Sequence, residues 1–240
     1  MSVLTLRLAG PLQSWGASAR FTRRTTESAP TKSGVIGLLA AAAGIERGDD
    51  NALQPLAALR FGVRIDQPGT RVRDFHTAHH GVTGKSMPLS ERFYLADAVF
   101  VAALEGDHQL LGELHAALRA PAYPPFLGRR SCPPSLPVEL SLHDEGGLKD
   151  ALRDEAWQAS PWYRKQHRSK NEIELTVLRE ADGHEHDNAD TRRDQPLSFA
   201  AAHRRHSLRT HVSYSVRIHN PSARHQPRHD PFEALDEESA

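Results

Sequence analysis

The sequence predicts an α+β protein on the ferredoxin-like plan, followed by a smaller β-rich C-terminal part. Two observations carry that expectation. Along residues 3–142 the hydrophobic patterning runs strand, helix, strand, strand, helix, strand, the split βαβ order shared by RNA-recognition modules. Beyond residue 143 only strand-like alternation remains, at Ile173–Arg179 and Leu208–Ile218.

Val3 to Leu8 alternates apolar and polar residues and stops at Gly10-Pro11, so it reads as the first strand. Ala9 to Lys32 is a long loop rich in Ser, Thr, Gly and Arg, the composition of a surface loop with a task. Ser33 to Ile45 reads as a helix, with Thr31 or Ser33 to cap it, an Ala/Leu-rich body and Gly44 to close it. Asn51 to Leu59 is a second short helix with Pro55 in its first turn, and Phe61 to Asp66 a strand. Arg71–Thr77 and Tyr94–Leu104 read as extended segments joined by a Gly-rich connection through Gly81 and Gly84. From Asp107 to Leu118 the spacing of Leu110, Leu111, Leu114 and Leu118 predicts an amphipathic helix that Pro121 ends. Leu136–Leu142 is the last strand of this half. Residues 143–219 form the smaller β-rich part, with a polar loop over Glu180–Asp194, and 220–240 form a disordered acidic tail.

The chain has 240 residues, 38% of them hydrophobic and 25% charged, which fits a soluble globular protein of one large domain or one domain with a small companion. A single cysteine, Cys132, excludes an internal disulfide and suits a reducing compartment. No secretory signal is expected, because Met1 runs directly into Val3-Leu4-Thr5-Leu6. The longest apolar stretch, Val35–Ala43, is interrupted by Gly37 and falls well short of a membrane span. Net charge is zero, but its distribution is uneven. Arg7, Arg20, Arg23, Arg24 and Lys32 face only Glu27 within the first 44 residues, and Arg119, Arg129 and Arg130 lie in an acid-free stretch. Basic segments beside an acidic tail point to a polyanion partner for part of the surface.

Three motifs carry chemistry. Gly10-Pro11-Leu12-Gln13-Ser14-Trp15-Gly16 follows the first strand; its glycines allow close approach to a ligand, Gln13 can hydrogen-bond a base or phosphate, and Trp15 can stack on a base or else fill the core. Pro30-Thr31-Lys32-Ser33-Gly34-Val35-Ile36-Gly37 sets Thr, Lys and Ser at a helix start, where free N–H groups and the helix dipole favour phosphate. Pro121 to Pro133 is a proline-framed loop with a Gly128-Arg129-Arg130-Ser131 centre, and paired arginines match phosphate oxygens. Gly81-Val82-Thr83-Gly84-Lys85-Ser86 ends like a P-loop, but His79 stands where the motif needs a glycine, and no strand–helix context surrounds it. His76, His79, His80, His184, His186, His203 and His206 have no partner at metal-ligand spacing, so no metal is expected. No nucleophile elbow is present.

Leu6–Gly16, Pro30–Leu39 and Tyr123–Pro133 together resemble the CasD family, the type I-E CRISPR Cascade subunits that grip the 5′ handle of the guide RNA. Asp74-Phe75-His76-Thr77 and Tyr94-Leu95-Ala96-Asp97-Ala98 match it in order and approximate spacing. The resemblance covers residues 3–142, thins over 143–219 and is absent from the tail. It implies a ferredoxin-like RNA-binding domain over 1–142 with a β-hairpin thumb within about residues 67–97. It also implies a non-catalytic role capping the guide-RNA filament in antiviral defence. The partners implied are the guide RNA, CasC backbone subunits and the CasA large subunit, with target DNA met through the assembled cytoplasmic complex. No membrane and no cofactor is implied. The expected RNA-binding residues are Gln13, Trp15, Arg24, Lys32, Ser33, Arg73, His76, Arg129, Arg130 and Ser131, with no catalytic residue. A competing expectation is a metal-independent endoribonuclease, in which His76 with Lys85 or Arg73, or Tyr94, would activate a 2′-hydroxyl and stabilise the phosphorane.

Overall fold

The computed structural model describes residues 1–16, 23–183, 185 and 189–224. Its elements are β1 (Ser2–Ala9), β2 (Leu12–Gln13), β3 (Arg23–Arg24), α1 (Lys32–Ala42), α2 (Asp50–Ala58), β4 (Arg60–Gln67), β5 (Thr70–His76), β6 (Ser90–Ala96) and β7 (Val99–Gly106). They continue with α3 (His108–Arg119), β8 (Glu139–His143), α4 (Leu148–Asp154), α5 (Pro161–Gln166), β9 (Glu172–Glu180), β10 (Asp190–Ser198) and β11 (Arg205–His219).

Seven strands make one antiparallel sheet in the order β10-β11-β9-β4-β7-β1-β8. Strand alternation sorts its side chains onto two faces. On one face Leu4, Leu6 and Leu8 of β1 and Phe100, Ala102 and Leu104 of β7 pack with α1, α2 and α3. On the other, Val3, Val101, Ala103 and Val177 pack with Leu148, Ala151 and Leu152 of α4. Both faces are covered, which is why β1 and β7 are buried almost throughout instead of alternating buried with exposed. Thr31 caps α1 by accepting from Gly34 N–H, and Asp107 caps α3 by accepting from Leu110 N–H. Leu111, Leu114 and Leu118 are the buried stripe of α3, as the periodicity predicted.

A second, smaller sheet is built on the antiparallel hairpin of β5 and β6, paired from Thr70↔Ala96 to His76↔Ser90. The free edge of β6 takes β2 at Leu95–Ala96 and β3 at Glu91–Arg92. The single extended segment expected over Tyr94–Leu104 is therefore two strands in two sheets. Asp97, with a φ of 55°, turns the chain between them. Gln67 Nε2 holds that turn by donating to the Asp97 carbonyl.

The boundary expected at residue 142 does not separate two sheets. β9 pairs with β4 at Gly62–Arg64, so the C-terminal strands extend the N-terminal sheet. Two short helices, α4 and α5, lie where the sequence offered no clear pattern. β10 begins at Asp190, inside the segment read as a polar loop; it is an edge strand carrying Pro196, a position where a missing N–H is tolerated. Residues 225–240 of the expected tail, with His184 and His186, lie outside the described residues.

Arg64 ties the segment after α4 to the sheet. It is fully buried, pairs through Nε with Asp66 Oδ1 at 2.7 Å, and donates to the Leu152, Glu155 and Ala156 carbonyls. Asp66 also accepts from Gln158 N–H at 2.6 Å, and its backbone carbonyl accepts from Trp157 Nε1 at 3.0 Å. Burial pushes the Asp66 carboxyl up from its ordinary range, against the pull of Arg64 and the Gln158 N–H. Removing one partner of such a pair leaves an uncompensated buried charge and three carbonyls without donors. Arg64→Ala is expected to cost about 3–5 kcal/mol of unfolding free energy by urea titration. Arg153→Ala, whose pairs with Asp150 and Asp154 are exposed, is expected to leave it nearly unchanged. Equal losses of stability in the two variants would contradict the buried role of Arg64.

Candidate functional site

The three sequence motifs meet around Trp15. Its indole is fully buried and donates through Nε1 to Gln13 Oε1 at 3.0 Å. Gln13, also fully buried, donates in turn to the Leu8 and Ala98 carbonyls at 3.0 and 2.7 Å. Two glycines make room for the ring and its backbone. A Cβ at Gly34 would stand 2.8 Å from Trp15 Cε3, so only glycine lets the first turn of α1 lie on the indole. Gly128 has a φ of +83°, and a Cβ there would fall 1.9 Å from the Ser14 carbonyl oxygen. The loop that carries it is locked by Ser14 N–H to the Leu127 carbonyl at 3.1 Å and Leu127 N–H to the Cys132 carbonyl at 2.7 Å.

Gln13 and Trp15 are thus interior groups with their polar atoms satisfied, which corrects the expectation that these side chains meet a base. Lys32 is corrected likewise. It is buried, its Nζ pairs with Glu180 at 2.8 Å, and its backbone N–H donates to Asp194 at 2.9 Å. Asp194, fully buried and held by Arg209 at 2.9 and 2.8 Å, already occupies the anion position that a free helix N-terminus would offer phosphate. Burial lowers the Lys32 ammonium pKa, and Glu180 opposes that shift. Ser33 is half-buried in the first turn of α1.

Above this junction the chain leaves a cleft of about 1410 Å³. One wall is Ser14, Gly16, Arg24–Thr25, Glu27 and Gly128–Arg129; the other is Asp190–Arg193 and Leu197 of β10 with Arg204, Arg205, His206 and His211 on or beside β11. Among the described residues six arginines line it, Arg24, Arg129, Arg192, Arg193, Arg204 and Arg205, against two acids, Glu27 and Asp190. Arg129 donates to the Arg24 carbonyl at 2.9 Å and lies 4.6 Å over the Tyr94 ring, so the loop, β3 and the hairpin share one anchor. Burial lowers the pKa of His206 and His211, and neighbouring arginines push in the same direction.

Of the predicted site residues, the cleft brings together Arg24 and Arg129. Arg130 and Ser131 are on the same loop and do not line it. Arg73 and His76 sit on β5, where Arg73 pairs with Glu91 at 3.5 Å and stacks over Phe75, and His76 pairs with Asp74. Tyr94, buried beneath Arg129, pairs with Val72, four residues along the strand from His76. Of the groups in the endoribonuclease expectation, Arg73 and His76 are each paired with an acid and Tyr94 is buried, and among the described residues no cluster suits a metal ion. Sequence reasoning missed Arg192, Arg193, Arg204, Arg205, His206 and His211. The available signal was the pair of Arg-Arg steps flanking Pro196, which place a double positive charge on each side of one hairpin.

Residues 3–212 match the family model described as CRISPR-associated protein (Cas_Cas5). The CRISPR system Cascade subunit CasD of Escherichia coli (strain K12) is 39% identical over 169 residues, covering 63% of this chain and 75% of that protein. A chain of a solved CRISPR RNA-guided surveillance complex is 30% identical with a TM-score of 0.71, covering 94% of this chain and 95% of that one. A chain from a crystal structure of a Cas protein is 34% identical with a TM-score of 0.68, covering 94% and 99%.

The junction and the cleft each set a measurable outcome. Gly84 and Gly128 both have positive φ, but a Cβ at Gly84 meets open space. Gly84→Ala is expected to cost about 1–2 kcal/mol, and Gly128→Ala about 3 kcal/mol or more, by urea titration; the reverse order contradicts the junction described. The two histidines, His211 buried and His206 half-buried, give a pH dependence. With folded pKa values below the unfolded 6.5, they contribute stability that is fully present above that pH and is lost as pH falls from it toward the folded values. Protonation also adds positive charge to the cleft, so polyanion affinity is expected to rise from pH 7.5 to 5.5 while the melting temperature falls. Replacing both histidines with Asn should flatten both trends.

Proposed function

The chain belongs to the Cas5 family of CRISPR-associated proteins, and we propose that it is the Cascade subunit whose arginine-lined cleft holds the 5′ handle of the guide RNA. As an RNA-binding Cascade subunit it needs a surface for a phosphate backbone. The observation that carries the assignment is the cleft, with six arginines against two acids among the described residues. Arg24, Arg129, Arg192, Arg193, Arg204 and Arg205 contact phosphates in this reading, because guanidinium groups match phosphate oxygens in pairs. Ser14 and Gly16, which line the cleft, meet the splayed strand, with Gln13 and Trp15 as their rigid support.

The β5–β6 hairpin, within residues 67–97, serves as the thumb. Its Arg73, Phe75 and His76, with Arg130 and Ser131 on the adjoining loop, extend the RNA path away from the cleft. The strand order β8-β1-β7-β4, linked through α1, α2 and α3, is read as the ferredoxin-like body, which β9 to β11 enlarge. The role is binding without chemistry: the subunit caps the filament, CasC and CasA subunits meet its outer faces, and target DNA is met through the assembly. The assembly resides in the cytoplasm in this reading; among the described residues no helix is long and apolar enough to cross a membrane.

The test is a titration of the purified chain, in chelator, with a labelled repeat-derived 5′ handle and a scrambled RNA of equal length. The handle is expected to bind more tightly and to be recovered uncut. Arg192→Ala/Arg193→Ala should weaken binding and reduce the salt slope by about 0.7 for each phosphate that is no longer neutralised. Cleavage at one position would transfer the assignment to an endoribonuclease. An unchanged salt slope would remove the C-terminal wall from the RNA site.

A further inference from the structure

We propose that α5 and the turn behind it, residues 162–170, form a second surface that binds single-stranded nucleic acid, separate from the arginine-lined cleft. The segment carries Arg164, Lys165, His167, Arg168 and Lys170 and no acid. Among the described residues none of its lysines or arginines enters an ion pair. Nearby Lys149 and Arg153, by contrast, are paired with Asp182 and Glu185, and with Asp150 and Asp154. Four cations within one seven-residue segment, none of them in an ion pair among the described residues, repel one another, and a bound polyanion relieves that repulsion.

The second observation is aromatic. Trp162 is 50% exposed, while the other tryptophans, Trp15 and Trp157, are buried. Its ring meets Tyr163 edge-on at 5.7 Å, and Tyr163 packs in turn on His167 at 4.6 Å and on Trp157 at 6.1 Å. The exposed indole is therefore the outer member of a ring cluster rooted in the core formed by Trp157, Ile173, Leu175 and Ile218. A rigid ring beside unpaired cations is the pairing that single strands use: the base stacks and the phosphates meet the charges. A duplex keeps its bases stacked internally and offers the ring no free face.

The turn is preorganised. Asn220, almost fully buried, donates through Nδ2 to the His167 and Lys170 carbonyls at 2.9 Å each, and Arg224 N–H donates to the Arg168 carbonyl at 2.9 Å. With the backbone fixed from behind, a ligand orders only side chains, which lowers the entropy cost of binding. Glu172 and Glu174 line the neighbouring groove with Lys170 and Arg217, so the strand's path runs along α5 and not into that groove. The surface also faces away from the cleft. Ile218 and Tyr214 of β11 point toward α4 and α5, whereas Arg209 and His211 of the same strand point to the cleft side. A strand held here is not the strand held there.

The test uses the full chain carrying Arg192→Ala/Arg193→Ala, which weakens the cleft, titrated at low salt with labelled oligo(U) and oligo(dT) of about 12 nucleotides. Both anisotropy and intrinsic tryptophan fluorescence are read. Binding with quenching of Trp162 is expected. Adding Trp162→Ala/Arg168→Ala/Lys170→Ala should abolish the quench and weaken binding about tenfold, with an unchanged circular dichroism spectrum. Tighter binding of oligo(dT) would assign the surface to a DNA strand, and tighter binding of oligo(U) to RNA. An affinity unchanged by the triple substitution, absence of any quench, or quenching by an acidic peptide but not by either oligonucleotide would overturn the proposal. These outcomes do not depend on whether the cleft holds the handle, since the quench reports Trp162 and the triple substitution touches no residue that lines the cleft.

Discussion

The buried indole of Trp15 is the contact on which the rest of the site depends. It joins its own segment to two others, the start of α1 and the loop at Gly128. Gly34 brings α1 onto one side of it, Gly128 brings the arginine loop onto the backbone beside it, and Gln13 fixes its N–H. A tryptophan can seat three segments at once because it is large and rigid and carries one polar atom that must be satisfied when buried. Arg129 follows directly after Gly128, so its position over Tyr94 and against Arg24 inherits the fit of that loop. What resembles a ligand-binding motif in sequence is thus a scaffold, and the charge it positions is one residue away.

A second constraint joins the two halves of the chain. Lys32, Glu180, Asp194 and Arg209 form a largely buried set of alternating charges between α1 and the strands β9, β10 and β11. Burying these groups carries a desolvation cost that their mutual pairing offsets only when all four are in place. The set fixes β10 against α1 and so sets the distance across the cleft. It also removes the α1 N-terminus from the surface, since Asp194 fills it from within.

The N-terminal body was legible because its signals are local. Apolar spacing gave β1, α1, β4 and α3, caps gave the helix starts, and a Gly-rich connection gave the hairpin. The break at Asp97 was not legible, because the residues on both sides are strand formers and only pairing into two different sheets separates them. The C-terminal wall escaped for a related reason. β10 is polar, carries Pro196 and is defined by its partner β11, so periodicity within it says little. In the site, Arg24 and Arg129 were readable from unpaired charge, whereas Gln13 and Lys32 were read as ligand-facing groups and Trp15 was left between base stacking and the core, where it lies. Residue type alone does not tell a group that binds a ligand from one that binds the protein's own interior, and the glycines at 34 and 128 carried that information only once their neighbours were known.

The most direct measurement is photo-crosslinking in the reconstituted assembly, with 4-thiouridine placed along the 5′ handle of the guide RNA and the crosslinked peptides identified by mass spectrometry. If the cleft holds the handle, crosslinks come from both of its walls, in peptides spanning residues 14–27, 128–131 and 190–206. Crosslinks confined to the N-terminal loops, with none from β10 or the start of β11, would show that the C-terminal half builds the fold but not the site.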